Sequence, residues 1–296
     1  HGGICPLRKV LMKHKIEKNT VQETLIIPLY ARKMCSELFP ELYRDETAAQ
    51  IMDKVGYDYS ETAKKSAGFI NRFAFLEVAM RQNDIAWEIR DYLKTHPSAA
   101  VVNLGCGLDN TGRRCDNGSC KIYNLDFPDV IAVRNELLPP GEREKNVPCD
   151  LNDKKWFDRI DASDGAVFFA AGVFFYFTPE QVKSLIGTMA KRFSGGKLVF
   201  DAAGKAAVKM ITKTWLKTAE IKDVNAYFSV SERRCSARFI TCVETRYCNQ
   251  RLTVMVMVVP TPTSVSIFIE SVYFFIFGSP IPAPKPSERA SSLAVE

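Results

Sequence analysis

The sequence predicts an α/β fold: a mostly parallel sheet covered by helices on both faces, with an N-terminal helical cap. Three observations predict it. Residues 15–97 carry apolar side chains at helical spacing. Five short apolar runs, at 100–104, 121–125, 145–149, 165–170 and 196–201, then alternate with helical or loop segments. Such alternation implies a parallel sheet buried on both sides. Finally, the first of those runs, Ala100-Val101-Val102-Asn103-Leu104, passes directly into the turn Gly105-Cys106-Gly107.

The elements follow in order. Thr20-Val21-Gln22-Glu23 has the spacing of a capping box and opens the helical region. The stretch from Phe69 to Leu93 has an apolar stripe suited to packing on a sheet, and Pro97 closes it. Between the fourth and fifth strands, Thr178 is a natural N-cap and Pro179 fits the first helical position. Beyond Val230 the character changes: 252–259 and 264–277 read as strands, and the proline- and serine-rich end from Ser279 reads as disordered. The expected organisation is residues 1–14 outside the fold, a helical cap at 15–97, a core at 98–230, C-terminal strands at 231–278 and a tail at 279–296.

Composition narrows the class of function. The chain has 296 residues, 46% hydrophobic and 25% charged, with a formal charge of +6. Its basic residues are scattered among acids, which is a solvated surface and not a nucleic-acid footprint. Nine cysteines form no small secreted framework, so reduced thiols and a cytoplasmic setting are expected. Cys106, Cys115 and Cys120 have no C-x2-C pair and no nearby histidine, so no metal site is expected. No signal peptide is evident. The apolar C-terminal stretch is broken by Pro260, Pro262 and Glu270, and no membrane span is expected.

The chemistry concentrates at the strand ends. Glycines at 105 and 107 let the backbone approach a ligand, and Asp126 at the end of the second strand can hold two ribose hydroxyls. That combination marks a nucleotide-type cofactor. A dinucleotide loop wants a third glycine, and here Gly105-Cys106-Gly107-Leu108-Asp109 is followed by Asn110. An S-adenosylmethionine site tolerates a looser turn, because no pyrophosphate has to be seated. It also wants an acid after the third strand, where Asp150 stands before Leu151. Asp126 has a second reading as a helix cap, and Asp150 as an ordinary turn residue.

Several of these segments together resemble the leucine carboxyl methyltransferase family, which includes bacterial polyketide O-methyltransferases of the tetracenomycin type. Residues 102–111 are similar to its first motif, and Tyr123-Asn124-Leu125-Asp126-Phe127-Pro128-Asp129-Val130 to its second. Asp150-Leu151-Asn152 with Trp156 resembles its adenine-side segment, and Gly172–Phe177 followed by Thr178–Val182 its fourth-strand motif. The resemblance covers 15–230 and implies a Rossmann-like class I methyltransferase sheet that uses S-adenosylmethionine (SAM) to methylate an oxygen of a small molecule. It implies cofactor contacts from Arg81, Gly105, Cys106, Gly107, Asp126, Phe127, Asp150, Leu151 and Ala171, with Arg81 gripping the donor's carboxylate.

Tyr57, in Gly56-Tyr57-Asp58-Tyr59, and Tyr176 are candidates for the acceptor pocket. Two departures stand out. Where the family usually has a glutamate before Gly172, this chain has Ala170-Ala171, and the sequence after Val230 does not match the family's closing strands. The only histidines are His1, His14 and His96, so no histidine base is expected, which favours a carboxylate or acidic phenol as acceptor. The rival readings are an NAD(P)-dependent oxidoreductase and a degenerate, non-catalytic SAM-binding fold.

Overall fold

The computed structural model describes the backbone of residues 21–55, 69–203, 240–247 and 250–259, and side chains within 25–55 and 75–201. Helices α1 (Val21–Leu38), α2 (Glu46–Lys54) and α3 (Phe69–Thr95) precede strand β1 (Ala100–Leu104). The short helix α4 (Thr111–Arg114), β2 (Lys121–Asp126), α5 (Pro128–Leu137), β3 (Glu144–Pro148) and a 3₁₀ turn (Lys154–Arg159) follow. Then come β4 (Ala166–Ala170), a second 3₁₀ turn (Phe174–Tyr176), α6 (Pro179–Arg192), β5 (Lys197–Ala203), β6 (Ile240–Tyr247) and β7 (Gln250–Val259). The five central strands begin and end within two residues of the positions expected from the apolar runs.

The strands form one sheet in the order β3-β2-β1-β4-β5-β7-β6. Neighbours from β3 to β5 pair in parallel, as each returns through a crossover. The order reverses between β1 and β4, which opens a crevice at their carboxyl ends. The expected strand at 252–259 lies within β7, which runs parallel beside β5, while β6 pairs antiparallel with β7 at the edge. The expected strand at 264–277 and the ends at 1–14 and 279–296 lie outside the described residues.

Both faces of the sheet are covered because consecutive residues on the inner strands are apolar and point to opposite faces. Val102, Leu104, Leu125, Phe168 and Phe200 pack beneath Trp156, Leu185, Met189 and Phe193. On the other face Val101, Ile122, Val167, Phe169 and Val199 meet Ile85, Ile89, Tyr92 and Leu93 of α3. β3 is the exception: it lies at the sheet edge, where exposed Lys145 and Pro148 discourage further pairing. Helix α6 starts at the predicted N-cap Thr178 with Pro179 at its first position, and Gln181 completes a capping box, Thr178 and Gln181 each bonding the other's backbone N–H.

A third apolar cluster joins the cap helices. Ile26, Leu29 and Tyr30 of α1, Ile51 of α2 and Phe75, Leu76 and Ala79 of α3 pack together and onto Leu108, Val133 and Leu137. The cap therefore rests on the loop after β1 and on α5, at the sheet's carboxyl edge.

Two ion pairs fix α3 along β5. Lys197 Nζ lies 2.6 Å from Glu88 Oε2, and Arg81 NH1 lies 2.7 Å from Asp201 Oδ2. Seven residues of helix span ~10.5 Å and four of strand ~13 Å, so the pairs match only if the two elements run antiparallel. Lys197 also donates to the Glu88 carbonyl at 3.3 Å. Removing the cation from this buried pair strands a charge. Lys197→Met is expected to cost about 3–5 kcal/mol in urea unfolding, and combining it with Glu88→Gln to recover most of that loss.

Candidate cofactor site

The loop after β1 is shaped by two glycines with left-handed backbones, Gly105 at φ 68° and Gly107 at φ 45°. A Cβ on Gly105 would stand 2.7 Å from Val173 Cγ2, across the crevice between β1 and β4. One on Gly107 would stand 3.1 Å from Leu25 of α1. Gly105 is therefore required by the close approach of the segment after β4 as well as by its own conformation.

Asp126 ties this loop to the end of β2. Its Oδ2 accepts the Gly107 N–H at 2.8 Å, and its Oδ1 accepts the N–H of Phe127 at 2.8 Å. The Cys106 N–H donates to the Leu125 carbonyl at 2.9 Å, so the two strand ends are joined by two bonds. Burial pushes the Asp126 carboxyl up, opposed by these amides and by the charge of Arg134. Phe127, half exposed, is the N-cap residue of α5 with Pro128 after it. Asp126 thus does bond the helix-capping residue, and each oxygen keeps a lone pair beyond it.

Arg134, a fully buried residue of α5, supports the loop from behind. Its NH1 donates to the carbonyls of Gly107 at 2.9 Å and Asp109 at 2.7 Å, and its Nε to Asn146 Oδ1 at 3.2 Å. Asp109 accepts from Asn103 Nδ2, the Thr111 N–H, Thr111 Oγ1 and Gln82 Nε2 at 2.7–3.0 Å. Asn110 fills the place of a dinucleotide loop's third glycine. It is buried, accepts from Gln82 Nε2 at 3.1 Å and Arg32 NH1 at 3.3 Å, and donates to Asp45 Oδ1 at 3.3 Å. Arg32 NH2 also donates to the Leu108 carbonyl at 3.0 Å. Helices α1 and α3 and the loop before α2 are therefore bonded to the loop that the glycines shape.

The end of β4 forms the other wall. Ala171 is half-buried, Gly172 has φ 74°, and its N–H donates to Asp201 Oδ1 at 2.7 Å. Asp201 thus bridges Gly172 and Arg81, whose guanidinium nitrogens lie 3.5–3.6 Å from where a Gly172 Cβ would be. Tyr176, half-buried and against Phe175, has its hydroxyl pushed up by burial, with Arg81 and Asp201 as the charges nearby.

Asp150 comes close through the backbone, because the Cys149 N–H donates to the Asp126 carbonyl at 2.8 Å. Its Oδ1 accepts from the Asn152 N–H and side chain at 2.9 and 3.0 Å, the turn role that the sequence left open. Leu151 is buried, and its carbonyl accepts from Trp156 Nε1 at 3.2 Å. Cys106 is buried and its thiol is pushed up, chiefly by burial, which holds it protonated. Tyr57 lies outside the described residues. Among the described residues no group of His, Cys, Asp and Glu is placed to hold a metal ion, and no helix is long and apolar enough to cross a membrane.

The glycine loop, the acid at β2 and the strand order match what the sequence motifs imply, and the comparison with known proteins decides the family. The sequence profile of leucine carboxyl methyltransferase matches residues 28–190, more than half of the 296-residue chain. The protein belongs to the leucine carboxyl methyltransferase family. It is 27% identical over 194 residues to the tetracenomycin polyketide synthesis O-methyltransferase TcmP of Streptomyces glaucescens, covering 64% of this chain and 69% of that protein. It is 26% identical over 223 residues to the S-adenosyl-L-methionine-dependent methyltransferase dpfgK of Gibberella zeae, covering 70% and 74%. Among solved structures, an O-methyltransferase family protein from Burkholderia thailandensis overlays with a TM-score of 0.39 at 14% identity, covering 76% of this chain and 70% of that one.

Four residues that shape the site escape a reading of the sequence. Asp201 ends the fifth predicted strand, and a strand-end acid is a visible signal. Gln82 and Arg134 have none, since their roles depend on distant loops. Glu77 lies four residues before Arg81, a spacing that puts the two on one face of the helix.

Gly105→Ala places a side chain in a left-handed backbone and against Val173. It is expected to cost about 1–3 kcal/mol, of which the conformation alone accounts for roughly 1–2. Adding Val173→Ala should recover the steric part, as read from paired chemical-denaturation midpoints.

Proposed function

We propose that this methyltransferase uses SAM to methylate an oxygen of a small, polyketide-like molecule. The observation that carries the reading is the single unit made by Gly105, Gly107 and Asp126 at the switch in strand order. The residues fit the donor's three parts. Asp126 has lone pairs for ribose hydroxyls beside a backbone that nothing bulkier than glycine shields. The exposed ring of Phe127 and the segment Asp150-Leu151 suit an adenine. Arg81 has five N–H donors and the Asp201 bond takes one, leaving others for the donor's carboxylate near Ala171 and Gly172. Cys106 contributes backbone to the turn, its thiol being turned inward and buried.

The bound donor supplies an electrophilic methyl group with a good leaving group, so the chain's task is alignment and exclusion of water. The loop's bonds to α1 and α3 hold the cap over the carboxyl edge, where Tyr176 and Tyr57 would line the acceptor's side. Methylation at oxygen is supported by the likeness to TcmP. The oxidoreductase alternative is disfavoured because Asn110, and not a glycine, is built into the loop with three side-chain hydrogen bonds.

Calorimetric titration with SAM, then transfer from methyl-labelled SAM to hydroxylated aromatic polyketides, tests this. Micromolar binding is expected. Asp126→Ala should weaken it about 10- to 100-fold, the loss of charge-assisted hydrogen bonds worth roughly 1.5–3 kcal/mol. Absence of SAM binding by the folded protein, or binding of NADH in its place, would overturn the reading.

A further inference from the structure

We propose that Asp201 is a positioning residue for the methyl donor: it holds the Arg81 guanidinium beside the Gly172 turn, so that the arginine's remaining N–H groups meet the donor's amino-acid carboxylate. This rests on the SAM-dependent reading and adds to it the residue that orders the site for the donor's amino-acid end.

The sequence of β5 puts Asp201 in place. Side chains alternate between faces along a strand, so Lys197, Val199 and Asp201 share one face. Val199 packs with Ile85 and Ile89, and Lys197 pairs with Glu88, so that face is the one α3 covers. Phe200 points the other way, into the cluster of Trp156 and Phe193. β5 is an interior strand, with Phe200 opposite Ala170 of β4 and Asp201 opposite Met257 of β7. The strand that carries Asp201 is therefore held from both sides, at the carboxyl end where the crevice opens.

Both oxygens of Asp201 are engaged. Oδ1 accepts the Gly172 N–H at 2.7 Å, and Oδ2 accepts from Arg81 NH1 at 2.7 Å. The Asp201 side chain is 1% exposed and that of Arg81 19%, so the carboxylate is sealed beneath while the guanidinium keeps an open edge. The other ion pair between α3 and β5 differs in this respect. Lys197 gives its ammonium to the Glu88 carboxylate and carbonyl together. Among the described residues Arg81 makes one hydrogen bond, through NH1, out of five N–H groups. A Cβ on Gly172 would lie 3.5–3.6 Å from the guanidinium nitrogens and 3.8 Å from the Phe175 ring. The arginine thus stands over the place that a side chain at 172 would fill.

An arginine without a partner ranges over many rotamers, and ligand binding then bears the cost of ordering it. Asp201 orders it in advance. Burial works against the Arg81 charge, but the carboxylates of Asp201 and Glu77 outweigh it and hold the guanidinium above its ordinary pKa. A planar guanidinium bonded through one nitrogen still presents paired N–H groups, the geometry that meets a carboxylate.

Calorimetric titration with two ligands separates this role from support of the fold. S-adenosylhomocysteine carries the amino-acid end, and methylthioadenosine is the same nucleoside thioether without it. Asp201→Asn keeps an acceptor for the Gly172 N–H and removes the charge that holds Arg81. It should weaken S-adenosylhomocysteine binding about 10- to 100-fold and leave methylthioadenosine within about threefold of wild type. In an Arg81→Met background the same substitution should change S-adenosylhomocysteine affinity by no more than about threefold, because Asp201 acts through the arginine. Equal losses for both ligands, no loss for either, or an undiminished loss in the Arg81→Met background would overturn the assignment. Nitrogen NMR of ligand-free wild type should also show a slowly rotating guanidinium whose signal is missing from the Arg81→Met/Asp201→Asn double variant. That variant removes both charges of the pair, which buried pairs tolerate better than the loss of one. A freely rotating Arg81 would overturn the assignment even if Asp201→Asn failed to fold. If wild type binds neither ligand, the SAM-dependent reading itself fails; if it binds both and Asp201→Asn is unaffected, only the role of Asp201 is rejected.

Discussion

The hydrogen bond from the Gly107 N–H to the Asp126 carboxylate is the contact on which the rest of the site depends. It joins the loop after β1 to the end of β2, at the point where the sheet's strand order turns back. An aspartate can make it only if the backbone comes close, and the backbone comes close only in the left-handed conformation that glycine allows. Arg134 then fixes the loop's carbonyls from beneath, and Val173 closes on Gly105 from the side. A flexible glycine turn thereby becomes a rigid one, which a transfer reaction that relies on alignment requires.

The same loop carries the cap. Asp109 and Asn110 receive Gln82 from α3, and Asn110 with Leu108 receives Arg32 from α1. Polar groups at this depth are tolerable because each bond satisfies another. One consequence is that the loop after β1 and the helical cap are joined by hydrogen bonds within the chain into a single connected body.

Much of this was legible in the sequence, and for local reasons. Strands β1 and β4 are nearly continuous apolar runs, as parallel strands buried on both faces require. Asp126 could be read from its distance to Gly107, because one crossover separates two neighbouring strand ends. The N-cap Thr178 with Pro179 after it is a local start signal, and Thr178 caps α6 as expected. What was not legible depends on long-range meetings. Arg81 was expected to face a ligand carboxylate, and the sequence offered no sign that Asp201, 120 residues away, would share it. Asp150 reads as a turn residue or a ligand contact, and its Oδ1 accepts from Asn152 in the turn. The strands after Val230 lack a family match, yet β7 pairs with β5 over seven residues and with β6 on its other side, since a continuous apolar run suits a strand with neighbours on both sides.

The most direct test of the account is hydrogen exchange of the backbone amides with and without S-adenosylhomocysteine, the demethylated donor. The account predicts new protection concentrated at 105–109, 126–128 and 170–173, the three strand ends that meet at the crevice. Protection confined to other segments, or none at saturating ligand, would contradict it.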